Sequence, residues 1–123
     1  MNTYFAAAAF LSFVVFLVHT FAGGRAIATP LMKAKDLHQV PKLTTYYCWH
    51  LVTIVLAVIS GMFLLATLRA ESLDVAWIAT LLTGTFCLFG LVLPIWHRQS
   101  YKHMPQGWLF LPIVVLGIAG GFS

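Results

Sequence analysis

Four apolar stretches fill most of this chain: Thr3 to Ala22, Thr44 to Leu68, Ser72 to Trp96 and Gln106 to Phe122. A hydrocarbon layer roughly 30 Å thick needs about 20 helical residues to cross it, and each stretch reaches or approaches that length. Inside lipid the backbone has to satisfy its own hydrogen bonds, which runs this long do as α-helices. The longest connection, Gly23 to Leu43, is too short for a further domain. The expected fold is therefore all-α: one integral membrane four-helix bundle over residues 1–123, with loops 23–43 and 97–105 on the same side. Composition agrees, since 61% of residues are hydrophobic and only 8% charged, against about 25% charged in soluble domains. The first stretch lacks the basic region that precedes the apolar run of a secretory leader, so it reads as a retained helix.

Lysine and arginine set the expected orientation. Arg25, Lys33, Lys35 and Lys42 follow the first stretch, Arg98 and Lys102 follow the third, and the opposite side holds only Arg69 beside Glu71 and Asp74. Basic residues in short loops stay on the cytoplasmic side, which predicts N-out and C-out in a bacterial inner membrane. The net charge of +4 then reflects topology and contact with anionic headgroups. It does not suggest a nucleic-acid partner, because no soluble basic face with interleaved aromatics exists. Cys48 and Cys87 fall at different depths without CxxC spacing, which predicts two buried free thiols.

Helix faces are expected from small and polar residues, because membrane helices associate by close backbone approach and interhelical hydrogen bonds. On the third stretch Ala76, Thr80, Thr83, Cys87, Gly90, Pro94 and His97 form such a stripe. On the second the expected stripe is Tyr46, His50, Thr53, Ala57, Ser60, Gly61, Leu64 and Thr67, and on the first Ala8, Ser12, Val15, His19 and Gly23. In the fourth, Pro112, Gly117, Gly120 and Gly121 allow tight packing, and these glycines also offer a self-association face for a homo-oligomer or a larger membrane complex.

All five histidines lie at or near the basic side. His19 and His50 fall at matching depths on consecutive helices and, from the stripes, are both expected to point inward. Ionisable groups inside a membrane are costly and commonly mark function. Three readings follow. In the first, His19 and His50 ligate a b-type haem iron or a single transition metal, with Arg25 and Arg98 near the propionates, His97 as alternative ligand, and Gly23, Gly24 and Gly61 leaving room for a macrocycle. In the second, the histidines and arginines form a cationic mouth for a lipid phosphate or small anion. In the third, no cofactor is involved and the histidines brace helices, for example against Thr53 or Ser12. The absence of CxxCH excludes covalent haem. The spans carry no interior carboxylate, which argues against di-metal carboxylate sites and hydrolases that need an acid to orient a base. The tyrosines and tryptophans at this edge, Tyr46, Tyr47, Trp49, Trp96, Tyr101 and Trp108, read chiefly as interfacial anchors.

The run His19-Thr-Phe-Ala-Gly23-Gly-Arg25-Ala-Ile-Ala-Thr-Pro30-Leu31, followed by Trp49-His50-Leu-Val-Thr53, resembles a small bacterial four-helix membrane family in which a His-Ser/Thr motif leads into Gly-x-Arg and Pro-Leu and a Trp-His pair opens the second helix. The resemblance covers mainly the first half of the chain. It implies that His19, Arg25, Pro30, Trp49 and His50 act together, and it implies no particular activity.

Overall fold

A computed structural model describes residues 1–123 as helices and short connections, with no strand. The first helix, α1, is continuous over Thr3–Lys33, α2 over Gln39–Leu68, and α4 over Gln106–Phe122. Between them α3 runs over Leu73–Trp96 and is entered through a single 3₁₀ turn, Ala70–Ser72. Each helix packs against two others, in the order α1–α2–α3–α4 and back to α1, which closes an up-and-down four-helix bundle. Three of the helices, Thr3–Lys33, Gln39–Leu68 and Ala70–Trp96, are long and apolar enough to cross a membrane. The fourth has 17 residues, about 26 Å at ~1.5 Å per residue.

Helix lengths differ from expectation mostly at the basic end. Residues 23–33 continue α1, realising one of two expectations for Ala26–Lys35 within loop 23–43, an extension of the first helix or a basic amphipathic turn along the interface, and the non-helical connection shrinks to 34–38. Pro30 and Pro41 do not stop these helices. Pro41 falls in the first turn of α2, where no intrahelical N–H bond is due, and Pro30 lies inside the continuous α1, where the π segment gives way to the α-helical turn Thr29–Lys33. The middle of α1, Val18–Ala28, is a π-helix, in which the Thr29 N–H bonds the Gly24 carbonyl five residues back. An eleven-residue π segment is long for a form that usually occurs as single turns.

At the opposite end, Asn2 caps α1 by accepting from Tyr4 N and Phe5 N, and its amide donates to Gly120 O at 3.0 Å on α4. That clasp brings α1 and α4 level there. Because α1 is 14 residues longer than α4, at 31 against 17, the α1–α2 hairpin overhangs the basic end of the bundle by about 20 Å.

The core is built from Phe5, Ala8, Ser12 and Val15 of α1, Leu56, Ile59, Phe63 and Ala66 of α2, Ala76, Thr83 and Cys87 of α3, and Phe110 and Ile113 of α4. Phe5 and Phe63 meet at 6.2 Å between ring centroids. The expected stripes of α1 and α3 face inward down to Gly23 and Pro94, while His97 is exposed. On α2 the expectation holds for Thr53, Ser60 and Thr67 and fails for the rest of the stripe. His50, Ala57, Gly61 and Leu64 are exposed, and the packed face is Trp49, Thr53, Leu56, Ser60, Phe63 and Thr67, so that Trp49, Leu56 and Phe63 take the places expected for His50, Ala57 and Leu64 one residue further on.

Glycines mark the closest approaches. A Cβ on Gly90 would lie 2.7 Å from the Gly107 Cα and N, so α3 and α4 touch backbone to backbone. Pro94 lacks the N–H that would otherwise bond the Gly90 carbonyl, so the close contact falls where the ladder of α3 is already interrupted. Gly117 and Gly120 are filled by Thr80 and Phe5, and Gly121 by Trp77. The α4 glycines expected to serve self-association are therefore used within the bundle.

Hydroxyl groups do less between helices than expected. Ser12, Thr67, Thr80 and Thr83 donate to carbonyls of their own helix, a local satisfaction that leaves their small size as their contribution to packing. Ser60 does cross, donating to Ala9 O at 2.9 Å.

Candidate functional site

The basic end of the α1–α2 pair contains two distinct arrangements. The first is a latch around His19. Its Nε2 lies 2.9 Å from Thr53 Oγ1 and 3.3 Å from Trp49 O, and its ring stacks on the Trp49 indole at 4.1 Å and 19°. The Trp49 carbonyl only accepts, and Thr53 donates to that same carbonyl at 3.3 Å. The network therefore assigns the proton to Nε2, which donates to Thr53. Gly23 is needed beside it, since a Cβ there would meet Trp49 Cη2 at 2.9 Å. One turn apart on α1, His19 and Gly23 thus hold the same indole from α2.

The second arrangement is a cleft of about 530 Å³ between the two helices, lined in part by Trp49. Arg25, Thr29 and Lys33 line it from α1 at successive i, i+4, i+8 positions, and Tyr46, Trp49 and His50 line it from α2. Phe21, Ala28 and Met32 supply apolar wall, and no acidic side chain lines it. The Thr20 hydroxyl at its edge is committed to Phe16 O at 2.8 Å. His50 is exposed and set edge-on to Tyr46 at 4.6 Å. The cleft is therefore cationic, partly aromatic and open.

These positions separate the residues singled out in the sequence. Arg25, Trp49 and His50 share the cleft, whereas His19, Thr53 and Gly23 belong to the latch behind it. Pro30 is exposed next to Thr29 on the continued helix. His97 and Arg98 are exposed and lie outside the cleft. Arg98 instead shapes the chain locally, because with φ of 54° it takes the left-handed position that ends α3. There Gln99 N bonds Pro94 O at 2.7 Å and Arg98 N bonds Ile95 O at 3.2 Å, the paired bonds of a Schellman stop. The Tyr101 hydroxyl then donates to Leu91 O at 2.8 Å and folds loop 97–105 back onto α3.

The residues present do not fit an axial bis-histidine haem or a shared metal in this arrangement. One imidazole has its Nε2 proton bonded to Thr53 and its face covered by Trp49, the other stands exposed at the cleft, and the space expected beside Gly23 is filled by the indole. Gly61 faces outward and opens no slot between helices, while Gly24 borders the cleft with nothing within 4 Å of where its Cβ would lie. No three His, Cys, Asp or Glu side chains come together.

Sequence reasoning missed Lys33, Thr29 and Tyr46 as cleft residues. The signal for the first two was their spacing from Arg25 at four and eight residues, which is legible only if the helix is carried past Gly23 and Gly24. A second cavity, of about 410 Å³, lies at the opposite end among Asn2, Phe5, Thr67, Leu73 and Ser123, and no acidic, basic or histidine side chain lines it.

No family model, curated protein or solved structure matches the chain.

Proposed function

We propose that this is a small multi-span protein of a bacterial inner membrane, N-out and C-out, whose cytoplasmic-side cleft holds the anionic headgroup of a lipid, while His19 serves to brace α1 against α2. The observation that carries the reading is the lining of the cleft: Arg25, Lys33 and His50 with no compensating carboxylate, beside Phe21 and Met32. Cations gathered without a counter-charge at a low-dielectric boundary are stabilised by an anion, and a guanidinium fork matches phosphate oxygens in pairs. Juxtamembrane basic groups of this kind each contribute about 1 kcal/mol toward anionic lipid. The apolar wall suits the glycerol and first methylenes of the same lipid.

The test is lipid retention. Protein extracted from vesicles of equal phosphatidylcholine and phosphatidylglycerol should carry mainly the anionic lipid in native mass spectra, and Arg25→Gln with His50→Gln should remove that bias. Equal retention of the two lipids by the unsubstituted protein overturns the proposal. An absorption spectrum of the same preparation tests the haem reading: a Soret band lost in both His19→Ala and His50→Ala would replace the lipid assignment.

A further inference from the structure

We infer that the cleft selects a lipid whose phosphate is terminal, a phosphomonoester, over the phosphodiester headgroups that dominate a bilayer. This rests on the proposed function and narrows its ligand class. Charge and acceptor count both favour the monoester. Arg25 and Lys33 are two fixed cations, and His50 is a third group able to carry charge, all lining one cleft that no carboxylate enters. A diester headgroup phosphate brings a single negative charge, so binding it leaves at least one of these cations uncompensated. A monoester brings between about −1.5 and −2 near neutral pH and so neutralises both fixed cations.

Oxygen geometry points the same way. A diester has two unesterified oxygens, and a bidentate fork from Arg25 engages both, so that Lys33 and Thr29 would have to share them. A monoester has three, which leaves an acceptor for Lys33 and for the Thr29 hydroxyl. On the helix, Thr29 lies one turn from Arg25 on one side and one turn from Lys33 on the other, about 6 Å each way. Both long side chains can therefore reach a phosphate held at the level of Thr29. The source of the phosphate is a lipid, because Phe21, Ala28 and Met32 make the adjoining wall apolar and give a free anion nothing to cover.

The experiment uses the full-length protein in phosphatidylcholine nanodiscs containing equal minor fractions of phosphatidate and phosphatidylglycerol, with retained lipids counted by native mass spectrometry. We expect phosphatidate to be retained about tenfold over phosphatidylglycerol. Arg25→Gln and Lys33→Gln should each bring the ratio close to one, and Lys102→Gln, a cation outside the cleft, should leave it unchanged. Both substituted residues are exposed, and an unchanged melting temperature verifies that each variant is folded. Equal retention of the two anionic lipids, both above phosphatidylcholine, overturns the monoester preference and leaves the anionic-headgroup reading standing. Retention of neither above phosphatidylcholine overturns both. Displacement of phosphatidate by millimolar inorganic phosphate overturns the lipid as source.

Discussion

Alanine at Gly90 and alanine at Gly61 should move stability in opposite directions. Each glycine lies within a long helix, so each substitution gains about 0.5–1 kcal/mol from restricting the unfolded backbone. They differ in what the added methyl group meets. At Gly61 nothing lies within 4 Å, and the gain stands alone. At Gly90 the new Cβ would lie 2.7 Å from Gly107 Cα and N, both backbone atoms, whereas ordinary contact begins at 3.4 Å. The α3–α4 pair has to part by about 0.7 Å to reach that distance, and overpacking of this kind costs about 1–3 kcal/mol. Since the backbone gain is common to both variants, their difference isolates that cost. Equilibrium unfolding in mixed micelles, with increasing denaturing detergent, measures it. Gly61→Ala should unfold later than the unsubstituted protein and Gly90→Ala earlier. If Gly61→Ala destabilises as much as Gly90→Ala, Gly61 is packed between helices and the assigned face of α2 is wrong.

Removing the His19 latch should show coupling. His19→Ala and Thr53→Val, alone and together in the same unfolding assay, should give an interaction energy of about 0.5–1.5 kcal/mol, the range of interhelical hydrogen bonds in membranes; additive effects would refute the bond. Arg98→Gly should stabilise by about 1 kcal/mol, because only glycine adopts the left-handed turn without strain, and a loss of stability would mean that the arginine side chain holds contacts of its own. A membrane-impermeant maleimide should modify exposed Cys48 and spare buried Cys87, and in oriented vesicles it should do so only from the cytoplasmic side. Labelling of Cys48 from the outside would invert the topology.

The bundle was legible in the sequence because spanning length and polarity leave few alternatives. The bounds of α4 coincide with the expected 106–122, and α3 begins one residue from expectation. The inward faces of α1 and α3 were legible too, since these helices do approach their neighbours at Ala8, Ser12, Ala76 and Thr83. On α2 the same rule held for Thr53, Ser60 and Thr67 and failed for His50, Ala57, Gly61 and Leu64, for a physical reason. Leu56, Ile59 and Phe63 pack the core there, while Ile54, Val58 and Leu64 are exposed. Acyl chains are as apolar as a core, so side-chain polarity does not separate the two sets, and the small residues Ala57 and Gly61 drew the stripe to the wrong side. His50 moved with it. The pairing of His19 with Thr53 was among the bracing contacts expected, whereas the stacking of His19 on Trp49 was not, because it depends on an indole filling the space opposite Gly23. The cleft was half visible: Arg25 stood out by charge, and Lys33 required a helix that continues through two glycines in π form.

Trp49 has one further consequence. Clamped between His19 and Gly23, the indole gives the cleft a solid floor. On the proposed function, a lipid headgroup lodging above it would enter and leave sideways, along the plane of the bilayer, without any parting of the helices beneath. Its turnover should accordingly keep pace with lateral diffusion of the surrounding lipids and stay insensitive to changes, such as those at Gly90, that loosen the bundle.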